Sequence, residues 1–282
     1  MNAAATHDSL AGAAMHVLGA GGASAQVLEH GAQLVSWRSA GAPQFERLYL
    51  SPLARLGVGE AVRGGAPVIF PQFERRGPDR SLPRHGFARQ RLWLVQSATP
   101  EGVVLRLEDD ASLRVAWPHP FALTLKAELA ADELRLTLEC ENTGAQPFEF
   151  SAALHTYLRV DALKDVRIEG LQGLDYIDCT DADALRTQRD AALSIEGEVD
   201  RIYRRAGART LVVRQPGSAV ASSLTGFDEV VVWNPGPRAA AIADLPAGDE
   251  SRFVCVEAAI VTAPPRLAPG ERWSGQQRLR AL

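Results

Sequence analysis

Apolar and polar residues alternate with a period of two along most of this chain. GVVLRLED, FALTLKAELA and ELRLTLECEN are the cleanest runs. In the last, Leu134, Leu136, Leu138 and Cys140 point one way, and Arg135, Thr137, Glu139 and Glu141 the other. Successive strand side chains project to opposite faces, so this pattern predicts antiparallel strands with one buried and one solvated face. SAQVLEHGAQLVSWRS reads as two short strands broken near Gly31, and DVRIEGL, RTLVVRQ, EVVVWN, RFVCVEAA and ERWSGQQRLRAL add more. Asn142-Thr143-Gly144 supplies a turn. Helical periodicity is scarce, and DADALRTQRDAAL is the segment predicted to hold a turn or two. Many short strands with frequent turn signals predict an all-β fold, a large antiparallel sandwich with little helix. Pro/Gly clusters at 64–86, 233–248 and 263–270 have strands of the same character on both sides, and no repeat of solenoid length occurs. Residues 1–282 are therefore read as a single domain.

The run EFSAALHTYLRV carries chemistry as well as pattern. Phe150, Ala152, Leu154, Thr156, Leu158 and Val160 share one face; Glu149, Ser151, Ala153, His155, Tyr157 and Arg159 share the other. A histidine in that position is either a hydrogen-bonded structural residue or one half of an acid–base pair. A second apolar strand, FVCVEAA, delivers Glu257 on the face of Phe253 and Cys255. A carboxylate there is either an exposed strand-end group or a partly desolvated one, with its pKa raised into a general base's range.

From about residue 63 to 91 the strand pattern lapses into a long segment rich in Gly, Pro and Arg. Loops of this length in compact domains usually serve binding. Gly64-Gly65 would let backbone approach a ligand. Arg63 and Arg89 fit a shared anion, since guanidinium forks match carboxylate or phosphate, and Arg75, Arg76, Arg80 and Arg84 crowd the same loop. A solvated Arg-rich loop is the alternative. Asp200, in VDRIY, suits hydrogen bonds from sugar hydroxyls or an ion pair with a nearby arginine. Trp233, at the end of EVVVWN, suits either the apolar face of a sugar ring or the core. His119, between two prolines, reads as part of a rigid turn, and His7, His16 and His30 have no partner pattern.

Composition narrows the classes. A net charge of −4 leaves no basic footprint for nucleic acid and no polybasic membrane patch. No apolar run approaches the roughly 18–20 residues of a membrane span, and the N-terminus lacks the marks of a signal peptide. Three cysteines without a CxxC, two of them in apolar strands, fit reduced thiols in a cytoplasmic protein. No HxH, HExxH or Cys/His spacing marks a metal site; GxxxxGK[ST] and GxSxG are absent too.

Taken in order, RGG, PVIFPQF, LPRHGFAR, WPHPF, ALHTY, VDRIY, VVVWNP and VCVE resemble the glucose-6-phosphate 1-epimerases of the aldose 1-epimerase superfamily, from about residue 15 to the end. The resemblance implies a galactose-mutarotase-like supersandwich that interconverts the anomers of a hexose 6-phosphate, without metal or cofactor, as a monomer. It implies that His155 and Glu257 are catalytic and that Arg63 and Arg89 face the phosphate. His85, Asp200, Gln72 and Trp233 would contact the sugar. Departures fall at Gly236-Pro237-Arg238, where an aromatic is common, and at Glu74, where glycine is common. A mutarotase for unphosphorylated aldoses and a non-catalytic carbohydrate-binding protein are the rival readings.

Overall fold

The alternating runs form antiparallel sheets in the computed structural model, which describes residues 6–10, 12–57, 59–77 and 82–282. Among these residues the largest sheet has nine strands. It runs from Ala192–Leu193 at one edge through Arg167–Glu169, Thr210–Gln215, Ser218–Thr225, Arg272–Ala281, Glu133–Asn142, Phe121–Leu129 and Gly102–Glu108 to Leu94–Thr99. A second sheet of eight runs Ala184–Thr187, Asp175–Asp178, Val199–Tyr203, Glu229–Asn234, Phe253–Ile260, Ala152–Leu154, Val68–Ile69, with Tyr157–Arg159 also paired to Phe253–Ile260. The first four strands, Thr6–Leu10 to Leu34–Arg38, make a separate meander.

Alternation decides what each face meets. Leu134, Leu136, Leu138 and Cys140 are fully buried, as predicted, in one continuous core. That core also takes Val230, Val232, Val254, Val256 and Ala258 from the eight-stranded sheet, and Leu18, Ala25 and Trp37 from the meander. The opposite face of the eight-stranded sheet carries Ile69, Ala153, Val231 and Ala259, which form a smaller apolar cluster with Phe73. Both faces of this sheet are thus covered, one by the nine-stranded sheet and one by loops. Among the described residues no helix is long and apolar enough to cross a membrane.

Three expectations are corrected. The run EFSAALHTYLRV is not one continuous strand, because loop carbonyls take its N–H groups. Ser151 N donates to Pro71 O at 2.8 Å and His155 N to Pro67 O at 3.0 Å. DADALRTQRDAAL is not helical: Ala184–Thr187 is an edge strand on Asp175–Asp178 and Ala192–Leu193 an edge strand on Arg167–Glu169. The short α-helix is Ala111–Ala116, where Asp110 accepts the Leu113 N–H as an N-cap and Leu113 is buried.

The third concerns Gly64-Gly65, which make room for backbone, not for a ligand. A Cβ on Gly65 would stand 2.1 Å from Leu34 O, and one on Gly64 2.3 Å from Tyr49 O. Gly65 N donates to Tyr49 O at 2.7 Å and Gly65 O accepts from Tyr157 N at 2.8 Å, so the pair threads the loop between three other segments. Gly65→Ala is therefore expected to lower unfolding stability by about 3 kcal/mol, through left-handed backbone (φ +64) and the clash together. Gly217→Ala is the control: its φ is +75 but nothing lies within 4 Å, so the expected loss is about 1 kcal/mol. Urea unfolding of both variants checks this; equal losses would rule out the close approach as the cause.

Candidate active site

The pairing of two strands places the central residues. Leu154 is opposite Ala258 and Tyr157 opposite Cys255, which leaves His155 opposite Glu257. Directly opposed residues lie on the same face of an antiparallel pair and within side-chain reach. His155 Nε2 is 3.4 Å from Glu257 Oε1. The same face continues across the sheet. Glu257 is opposite Val231, Cys255 is opposite Trp233, and Trp233 is opposite Asp200. Period-two alternation on four strands thus gathers residues more than a hundred positions apart.

The loop that interrupts the strand pattern closes over this face. A cavity of about 140 Å³ is lined by Arg63, Phe73, Glu74, Arg84, His85 and Arg89 from the loop. From the sheet come His155, Asp200, Val231, Trp233 and Glu257, and Ile242 completes the wall. A larger, open groove of about 800 Å³ beside Tyr176, Gln188 and Arg201 contains none of the residues singled out from the sequence.

Seven of the eight sequence-predicted site residues therefore meet in one place. Gln72 does not. It is fully buried, and its Nε2 donates to Leu82 O at 3.1 Å and Pro83 O at 3.0 Å, so it ties two parts of the loop together. Trp233 lines the cavity and also packs with Tyr157 and Phe253. Arg76 turns to Asp183 and Arg84 to Glu74, while Arg80 lies outside the described residues. The Arg238 departure leaves the site, since its guanidinium pairs with Glu198 at 3.1 Å.

Burial sets the protonation of the central pair. Desolvation pushes Glu257 well above the ordinary carboxylate range, reinforced by Asp200 and Glu74. Desolvation also holds His155 well below the ordinary imidazole range, reinforced by His85, Arg89 and Arg63. Together these shifts place the proton on Glu257 and leave the His155 imidazole neutral. Neither Glu257 oxygen nor His155 Nδ1 has a hydrogen-bond partner within the protein. Glu229 supplies the contrast. It is equally buried, on the neighbouring strand and the same face, but its carboxylate accepts from the backbone N–H groups of Val261 and Thr262. Buried polar groups are normally satisfied, so an orphaned acid–base pair facing a cavity marks a place for chemistry.

The surrounding charges are unequally matched. Arg63 Nε donates to Asp244 Oδ1 at 3.1 Å and Nη1 to the Tyr157 hydroxyl at 3.1 Å. Glu74 forms an ion pair with Arg84 and lies 3.3 Å from His85 Nε2. Burial alone would raise Glu74; His85 and Arg84 outweigh it and pull it down to about 2. His85 is lowered to about 4, chiefly by burial, and its Nδ1 accepts the Glu74 N–H at 3.2 Å. Asp200 is pushed up to about 6 by burial, with Glu74 adding to the shift. Arg89 stands apart: its Nη2 donates to the Arg84 carbonyl at 3.1 Å, its buried Nε has no partner, and burial pulls it down to about 10. It is the cavity's uncompensated cation. Among the described residues no group of three or more His, Cys, Asp or Glu is placed to hold a metal ion.

Sequence reasoning missed Tyr157 and Asp244. Tyr157 was legible as a neighbour two residues from His155 on the same face; Asp244 had no signal, because it reaches Arg63 from a segment 181 residues away.

Comparison with known proteins identifies the family. The sequence profile of the family described as aldose 1-epimerase matches residues 15–280. A chain from Cenchrus ciliaris named "putative glucose-6-phosphate 1-epimerase" is 34% identical over 278 residues, covering 94% of this chain and 83% of its own. One of the same name from Salmonella typhimurium is 32% identical over 83% of this chain and 79% of its own. The crystal structure of a "putative mutarotase" from Salmonella typhimurium superposes with a TM-score of 0.88 at 27% identity, covering 99% of this chain and 93% of that one. With the match spanning both large sheets and every wall of the cavity, the chain belongs to the aldose 1-epimerase family.

Proposed function

We propose that this protein, an epimerase by family, interconverts the α and β anomers of a hexose 6-phosphate, with glucose 6-phosphate as the leading substrate. The observation that carries the reading is the buried, otherwise unpartnered His155–Glu257 pair beside an uncompensated arginine. Mutarotation requires the C1 hydroxyl to lose a proton while the ring oxygen gains one. Glu257 takes the first and His155 gives the second; the C1–O5 bond breaks to the aldehyde. Rotation about C1–C2 then presents the other carbonyl face, and closure runs the same transfers in reverse. The pair holds one proton between its members throughout; burial alone places it on Glu257, and these transfers begin once it has passed to His155.

Arg89 is assigned to the phosphate, with Arg63 beside it. An anion there also neutralises two of the charges that hold His155 down, which strengthens the imidazole's hold on a proton. His85 and Asp200 are assigned to sugar hydroxyls and Trp233 to the apolar face of the ring. The uncompensated cation is what favours a phosphorylated sugar over a free aldose. We further propose a monomeric, cytoplasmic, single-domain protein, consistent with three free cysteines.

Three measurements test this reading. His155→Ala and Glu257→Gln should each lower kcat for glucose 6-phosphate anomerisation, followed by NMR exchange, by about 10²–10⁴-fold with unchanged circular dichroism. Full activity in either variant would sink the assignment. Arg89→Met should raise KM for glucose 6-phosphate by about 10–100-fold, the loss of hydrogen bonds to a charged group, and change glucose far less; equal effects on both sugars would remove the phosphate from Arg89. The pH profile tests Asp200. Its raised pKa means it is neutral below about 6 and ionised, able only to accept, above it. We expect kcat/KM to fall below about pH 6 with an acid limb that Asp200→Asn abolishes. Comparing the two enzymes on one substrate cancels the titration of the substrate's own phosphate, and an unchanged limb would clear Asp200 of the role.

A further inference from the structure

His155 has no hydrogen bond at Nδ1, so its orientation rests on the Glu257 contact at Nε2 and on ring contacts. His85 and Trp233 meet it edge-on, at 5.6 and 5.7 Å between centroids. The Tyr157 phenol lies flat against it, with centroids 4.9 Å apart and planes 14° from parallel. Tyr157 is itself tethered at its far end. Its hydroxyl accepts from Arg63 Nη1 at 3.1 Å, and Arg63 Nε donates to Asp244 Oδ1 at 3.1 Å. Arg63 lines the cavity, and its Nη2 is committed to neither partner. The Asp244 tether lies on the wet side, with both side chains 25% exposed, where a single ion pair holds a guanidinium loosely.

We infer that Tyr157 is a positioning residue that couples anion occupancy at Arg63 to the orientation of His155. The inference rests on the acid–base role proposed above for His155. A guanidinium is planar, so an anion at Nη2 adds a third tie that fixes the whole group, and with it the position of Nη1. Nη1 fixes the phenol oxygen, and the phenol ring fixes the plane of the imidazole stacked on it. The phosphate of the substrate then contributes to the chemical step as well as to binding: remote contacts set the reacting geometry.

The test is steady-state anomerisation of glucose 6-phosphate and of glucose by the wild type and Tyr157→Phe. The phenylalanine keeps the stack and removes the tether. We expect kcat for glucose 6-phosphate to fall about tenfold, with KM within about twofold and kcat for glucose little changed, so the ratio of the two kcat values collapses. Asp244→Asn loosens the same guanidinium from the wet side, leaves the core untouched and should collapse the ratio in the same direction. Equal falls for both sugars in either folded variant, or a raised KM at unchanged kcat, would overturn the coupling. Wild-type activity in His155→Ala would instead overturn the acid–base reading beneath it, so the two failures are told apart.

Discussion

The hydrogen-bonded register between the strands around residues 152–159 and 253–260 is the constraint on which the rest of the molecule depends. It sets His155 across from Glu257, and by alternation it also sends Leu154, Thr156 and Leu158 into the opposite layer. A polar lock in the core pins this choice. Thr156 Oγ1 donates to Gln277 Oε1 at 2.6 Å, and Gln277 Nε2 donates to Val256 O at 3.0 Å and Ser222 Oγ at 3.2 Å. A slip of one residue would expose that network and bury the imidazole in the core, because side-chain period and register are the same quantity in a strand. The fold and the site are therefore specified by one set of contacts.

Around that pair the structure distributes charge with care. Arg63 and Arg84 each face a carboxylate; Arg89 does not. Glu229 is capped by backbone N–H groups; Glu257 is left bare. An unmatched buried polar group is destabilising, and here the bare carboxyl of Glu257 and the unpartnered Nε of Arg89 belong to residues lining one small cavity. The low dielectric that makes them costly also strengthens their action on any charge or dipole that enters the cavity, because charges act more strongly where water is excluded.

Much of this was legible in the sequence, and the reasons are physical. Alternation is a local property, so the ELRLTLECEN strand and the two faces of EFSAALHTYLRV could be read directly, and both faces stand as read. Which strands are neighbours is not local. His155 and Glu257 are 102 positions apart, and their pairing came from ordered motifs, not from period. The failures were of two kinds. Gly64-Gly65 and Gln72 sit in a loop whose close partners are remote backbone atoms, so their packing roles looked like binding roles. DADALRTQRDAAL carries enough Ala and Leu to favour a helix, but the open edges of two sheets claim it instead.

The segment from Gly236 to Asp244 has a consequence of another sort. It enters through a glycine pressed against the Glu198 backbone, supplies Ile242 to the cavity wall and ends on the counter-ion of Arg63. One wall of the cavity and the counter-ion of Arg63 thus come from a single stretch outside the paired strands. A change at Ile242 or Asp244 therefore reaches the cavity from outside, without disturbing the register that sets His155 across from Glu257.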